Sequence, residues 1–511
     1  MGDSRISRRS VLSLLGAGAA LTTLLPISLT ADSGKATPTG APNRKKEAAK
    51  SGNLPQGAQW ADPLGNYIHS SQKDGIAEDI RELARRHILD TLAAIVACRD
   101  LEASMLSRKF VLEHNQGSTA APILGTRERC SLLDAILASG MTAHAAEIND
   151  FCPSAFVQPG ASIIPTALCL GDARNLSGEA FLRSVITGYE IACRMPKALG
   201  PRNLFTAVLA NHSVGPIFGS AAAAASLIRL PRDRMNHMFS YCVEQASGSW
   251  QWMRDVDHIE KAFVFGGMPA RRGTECALFA EAGFTGIGDP FTGDPGWLNS
   301  TMFKGEKSDF NPGYLTEDLG KRFELPLVGY KRYPVGGPTQ PAIELMLDLI
   351  KEVDRTRVRK VRIEMPGRTG TFAGAEMPAL NLPYLCSIIL ADGKLDFTAA
   401  QSRKRFLEDK AIQSFMKNVE VIHDPEQEAS PRVESARVIL TLDDGSKKEK
   451  FLHHVKGFPE HPFDRNDVVQ KAMELMVPVL GKNRSHELCN TVLKIEELKN
   501  VRKLVELIAG D

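Results

Sequence analysis

Along residues 76–97, IAEDIRELARRHILDTLAAIVA, apolar side chains recur at helical spacing. Acidic residues come early in the stretch and arginines later, the order that the helix dipole favours. The same periodicity predicts helices over 178–195 (GEAFLRSVITGYEIACRM) and over 271–284 (RRGTECALFAEAGF), the latter stopped at Gly283. GSAAAAASLIRL, 219–230, reads as a small-residue helix made for close helix–helix contact. Little before residue 323 alternates with period two. Beyond it, FELPLVGYKRY (323–333) and RKVRIEMP (359–366) read as short strands, with a helix, TQPAIELMLDLIKEV, between them. NVEVIHD and ARVILTLDDGSKKEKFLHH follow as a partner strand and an antiparallel hairpin turning at Asp444-Gly445. Helical spacing returns in DRNDVVQKAMELMVPVL and LKNVRKLVELIAG.

The pattern predicts a mainly α fold: a large all-helical domain in two parts, 61–322 and 461–511, with a smaller α+β lid domain, 323–460, inserted between them. No internal repeat is visible. At 511 residues, with 43% hydrophobic and 24% charged residues, the chain has ample material for a large core. Its formal net charge of +2 and the lack of a Lys/Arg-rich run give no case for nucleic acid as a partner. Nine cysteines, odd in number and without a C-x-x-C, argue against a disulfide framework and against a thiolate zinc site. They read as small buried hydrophobes.

The N-terminus alters the picture of where the chain works. Arg8 and Arg9 stand directly before an uncharged stretch from Ser10 to Ala31, rich in Gly and Ala. Twin arginines ahead of such a segment are the address of the bacterial twin-arginine route. Residues 1–31 are therefore expected to be a signal segment engaging that export machinery. The protein is expected to be periplasmic or exported, or membrane-tethered where the segment is not cleaved. Residues 32–60 have the Pro, Gly, Ser and Lys content of a disordered linker.

Chemistry gathers at 144–168, HAAEINDFCPSAFVQPGASIIPTAL, which carries a histidine, a glutamate, an asparagine and an aspartate within seven positions. With DTLAAIVA, GYEIACR, GPIFGSAAAAA, EKAFVFGGMPARRG, AGFTG, KRYPVGG…QPAIE and LPYLCSIILADG, it makes eight stretches in an order that resembles the MmgE/PrpD family. That family includes 2-methylcitrate dehydratase, cis-aconitate decarboxylase and iminodisuccinate epimerase. The resemblance runs over nearly all of 65–505. It implies a helical domain with an inserted lid, an active site between the two, a homodimer and no organic cofactor.

Carried over position by position, the resemblance implies His144, Lys261, Lys331, Tyr384 and His212 as catalytic candidates. Glu147 and Asp150 stand at the acidic positions of the first pocket segment, with Asn149 replacing an acid. Gln158 stands before Pro159 where many members have a histidine, and Gly336 replaces a further histidine. Glu147, Asp150 and Gln158 are expected to bind substrate. Lysines near a substrate carboxylate stabilise negative charge developing beside it, more strongly in a desolvated cleft than in water. Removal of a carbon-bound proton needs a base, for which His144 or His212 serves, oriented by Glu147 or Asp150; Tyr384 donates or relays a proton. Glutamine hydrogen-bonds a carboxylate but does not titrate. The reduced acid–base inventory points away from cis-aconitate decarboxylation. It favours a dehydration of the 2-methylcitrate type or an epimerisation, on a small di- or tricarboxylate. The alternative is a catalytically silent carboxylate-binding or interaction protein of the same fold.

His144 and Glu147 lie one helical turn apart, yet no second H-x-x-E or E-x-x-H completes a di-metal box, so no metal is expected. SWQWM, with Trp250 and Trp252, reads as packing. The glycines of VFGGMPARRG do not follow a credible strand, which argues against a nucleotide site.

Overall fold

A computed structural model describes residues 58–510, apart from 308 and 429–433. The twin-arginine segment 1–31 and the linker through residue 57 lie outside the described residues. Among the described residues the first helix begins at Ala61. None of the described helices is long and apolar enough to cross a membrane.

Helices dominate, as the spacing of apolar positions predicts. The helix Glu78–Cys98 lies in the middle of the main core, with Ile88, Leu89, Leu92 and Ile95 buried. Around it pack Leu132–Ala143, Gly160–Ala173 and Gly178–Leu199. The final helices, including Arg465–Leu480, share this same core although more than a hundred residues of other structure intervene. Charge reinforces the junction. Arg85 joins Glu82 on its own helix to Glu496 near the C-terminus, and Arg465 grips Glu82 with two bonds of 2.7 Å. Deeper, Lys471 Nζ donates to Asp90 Oδ1 at 2.5 Å and to the Ile148 carbonyl at 2.8 Å. A second core forms around the small-residue helix Asn211–Leu227, whose alanines admit close neighbours such as Met268–Glu281.

The sheet-bearing segment has a core of its own, from Val335 to Leu442. Its strands are β1 (Val358–Met365), β2 (Val419–His423), β3 (Ala436–Leu442) and β4 (Lys447–Leu452). They run in the order β2-β1-β3-β4. β1 pairs parallel with β2 and antiparallel with β3, and β3 and β4 form the expected hairpin. Every second side chain of β3 is buried, from Ala436 through Val438 and Leu440 to Leu442. One expected strand is missing. Residues 323–333 form a short 3-10 turn, Leu325–Leu327, then a single antiparallel bridge between Gly329 and Phe151. Pro326 has no N–H for a ladder. The chain here ties to the helical part, with Tyr330 N–H on the Gly457 carbonyl at 2.7 Å.

Candidate active site

Glu147 organises the site. The helix Leu132–Ala143 stops at His144, and residues 145–150 turn irregularly, so His144 and Glu147 do not share a helical turn. Both side chains are nonetheless buried close together, His144 Nε2 lying 4.0 Å from Glu147 Oε1. Glu147 Oε1 also pairs with the ammonium of Lys261 and with His258 Nε2, the latter at 3.2 Å. Its Oε2 accepts from Lys331 Nζ at 2.9 Å. Burial pushes the Glu147 carboxyl upward, but Lys261, Lys331 and His258 outweigh it and hold the group well below the usual carboxylate range. Burial also pulls Lys261 below the ordinary lysine value, against the opposing pull of Glu147. With both lysines charged, two ammonium groups face one carboxylate, and the cluster carries an excess of one positive charge.

Local backbone explains how Lys261 arrives there. His258, in the left-handed region at φ 61°, turns the chain into the short helix Ile259–Ala262, and Lys261 N–H donates to Asp255 Oδ2 at 2.8 Å. A π-helical turn, Phe263–Gly267, follows at once; such turns concentrate at functional sites. It packs against the Leu132–Ala143 helix through glycine. A Cβ on Gly140 would lie 2.7 Å from the Gly266 carbonyl oxygen, so the backbones meet with no room for a side chain. The Lys261 ammonium sits 4.4 Å from the Trp252 ring centroid and 5.1 Å from that of Phe265, within cation–π range.

Phe265 is stacked between two imidazoles, His212 at 4.0 Å and His144 at 4.5 Å. Each ring has its tautomer set by a neighbouring amide. Asn149 Nδ2 donates to the Ala143 carbonyl, so its Oδ1 accepts from His144 Nδ1 at 2.8 Å. That leaves His144 Nε2 with its lone pair, and this atom has no hydrogen-bond partner among the described residues. Gln158 Oε1 accepts from His212 Nδ1 at 2.7 Å. Burial holds both histidines well below the ordinary imidazole value, Glu147 being the nearest opposing influence on His144 and Lys261 adding to the depression of His212. Two neutral bases therefore stand beside a cationic centre.

A cavity of about 470 Å³ opens over this cluster. Glu147, Gln158, His212 and Lys261 line it from the helical part, and Pro338, Phe372, Met377 and Leu380 from the sheet-bearing segment. Trp252 also lines it, its Nε1–H without an acceptor among the described residues. The remaining sequence candidates sit elsewhere. Lys331 lies behind Glu147, fully buried. Asp150 accepts from Gly160 N–H at 3.2 Å and from the Tyr189 hydroxyl at 2.6 Å, fixing the start of the Gly160–Ala173 helix. Tyr384 is buried in the sheet-bearing segment, donating to the Ala399 carbonyl at 2.7 Å; burial pushes its hydroxyl up to about 12. Neither is among the side chains lining the cavity.

Sequence reading missed His258 and Phe265, named Asn149 only as the replacement of an acid, and took Trp252 for packing. His258 stands three residues before a lysine already singled out, and that spacing was its only signal. With it, His144, Glu147 and His258 offer three donor atoms within 4.8 Å of one another, a set that suits a metal ion in number. The two lysines on the same carboxylate oppose a cation there, because they occupy its lone pairs and raise the local positive potential.

Two family models match the chain: the MmgE/PrpD N-terminal domain over residues 62–311 and the MmgE/PrpD C-terminal domain over 333–497. The chain is also 24% identical, over 90% of its own length and 99% of the relative's, to a cis-aconitate decarboxylase-like protein, oryM, of Aspergillus oryzae. The boundary between the two matches, 312–332, falls just before the sheet-bearing segment, and the cavity takes its lining from both. This chain belongs to the MmgE/PrpD family.

Proposed function

We propose that the protein is a lyase that generates a carbanion beside a substrate carboxylate. His212 takes the proton, and Lys261, with Lys331 behind it, stabilises the charge that develops. The observation that carries this reading is the cavity floor itself: a histidine held by Gln158 next to a buried glutamate shared by two lysines. In the dehydration version the C–H bond breaks, its proton goes to His212 Nε2, and the electron pair spreads into the neighbouring carboxylate. The hydroxyl on the next carbon then leaves as water with a proton from Lys261, which burial makes a readier donor than a solvated lysine. The relative's name speaks of decarboxylation, in which the bond to a carboxylate breaks, carbon dioxide leaves, and the carbanion left on that carbon takes a proton from Lys261. Either route draws on the same lysines.

Proton NMR in deuterated water tests it, using the purified full chain with citrate, 2-methylcitrate, aconitate and succinate derivatives. The expected result is deuterium uptake next to a carboxylate, or product, with a loss of at least a hundredfold in His212→Asn and in Lys261→Met. Thermal stabilisation by these acids without exchange or turnover of any would overturn the enzyme reading and leave a carboxylate-binding protein.

A further inference from the structure

The cavity's walls do not match its floor. Glu147, Gln158, His212 and Lys261 meet at the floor, while Phe156, Phe205, Trp250, Trp252, Phe372 and Met377 give the walls a run of large apolar side chains. Among the described lining residues the charged side chains are Glu147, Asp255, Glu376 and Glu434 against Arg202, Lys261 and Arg368. Four carboxylates facing three cations give no surplus for a trianion, even with Lys331 behind the floor restoring balance. Arg202 is exposed and paired with Glu306, and Arg368 is exposed and rests 4.5 Å over the Phe205 ring. Both are surface groups, as is Glu376; the buried lining sets Lys261 against Glu147 and Glu434.

Position 336 adds an independent observation. A Cβ on Gly336 would stand 2.5 Å from Leu380 Cδ2, so the space a side chain would take there is filled by leucine. Both residues line the cavity. A volume of about 470 Å³ is also within the range of roughly 300–1,000 Å³ that pockets for drug-sized ligands occupy.

Resting on the function proposed above, we infer that the substrate is a mono- or dicarboxylate carrying a bulky apolar substituent, an aryl or a long alkyl group, rather than a compact tricarboxylate. Its carboxylate meets Lys261 and Glu147's cationic surroundings, and its apolar body lies along the Trp250–Trp252 and Phe372–Met377 walls.

Calorimetric titration of the full chain with succinate, benzylsuccinate, hexylsuccinate and citrate tests this, run beside the deuterium-exchange assay on the same compounds. Benzyl- or hexylsuccinate is expected to bind at least tenfold more tightly than succinate and citrate. That preference should fall at least threefold in Phe372→Ala, and by as much in Met377→Ala, which serves where Phe372→Ala folds poorly by circular dichroism. Equal or tighter binding of citrate overturns the inference, and exchange observed with citrate in that case leaves the lyase reading intact. Tight binding of the apolar acids without exchange or turnover removes the lyase reading and leaves only the apolar ligand preference of the cavity.

Discussion

Gln158 gives His212 something a second histidine does not: an acceptor that never changes protonation. With Gln158 Oε1 on Nδ1, the imidazole keeps one tautomer across the working pH range. Gln158→Glu replaces that acceptor with a carboxylate, which stabilises the imidazolium. The acidic limb of the pH–activity profile should then move up by about one unit, and kcat should fall more than KM changes. The same burial that keeps His144 and His212 neutral has a cost in acid. Their folded pKa values lie below the unfolded value near 6.5, so below about pH 6.5 the unfolded chain binds protons that the folded one refuses. Stability should decline with falling pH by up to about 1.4 kcal/mol per unit for each histidine, and His212→Asn should flatten that slope in urea titrations between about pH 6.5 and 5. Glu147 acts in a lower window. Its depressed carboxyl contributes stability above its unfolded value near 4.3, and that contribution is lost as pH drops further.

Among elements, the π-helical turn Phe263–Gly267 is the part that presents the chemistry. Gly266→Ala pushes a methyl group against the Gly140 carbonyl. We expect a loss of about 1–3 kcal/mol, read by denaturant titration, with activity falling further than the stability loss explains because Lys261 moves with the turn. Helices, β1 to β4 and the hairpin were legible in the sequence because period 3.6 and period 2 report burial on one face. Residues 323–333 misled because they are apolar and β-prone, yet long-range bonds to Phe151 and Gly457 decide their course. The site was partly legible for a related reason. His144, Glu147, Lys261 and Lys331 carry charge or a lone pair that a resemblance can point to. Phe265 and Trp252 act through ring faces, which look like core in a linear sequence. Tyr384 and Asp150 show the reverse: polar atoms that hold structure together.

On the scale of the molecule, one buried ion pair fastens the C-terminal helices to the first long helix. Lys471→Met leaves the Asp90 carboxylate buried and uncompensated, and should cost about 3–5 kcal/mol in a denaturant titration. All nine cysteines are buried and none forms a disulfide. The fold is thus complete without oxidation, which suits the export proposed from Arg8 and Arg9 by a route that carries folded cargo. The paired lysines of the cavity floor have a wider effect. Glu147 is tethered beside them, so an incoming anion competes with a resident carboxylate at very high effective concentration. A ligand must therefore displace an internal rival rather than fill a bare cationic hole. Chloride, sulfate and phosphate bring no apolar body to tip that contest, so the site resists occupation by the commonest ions around it.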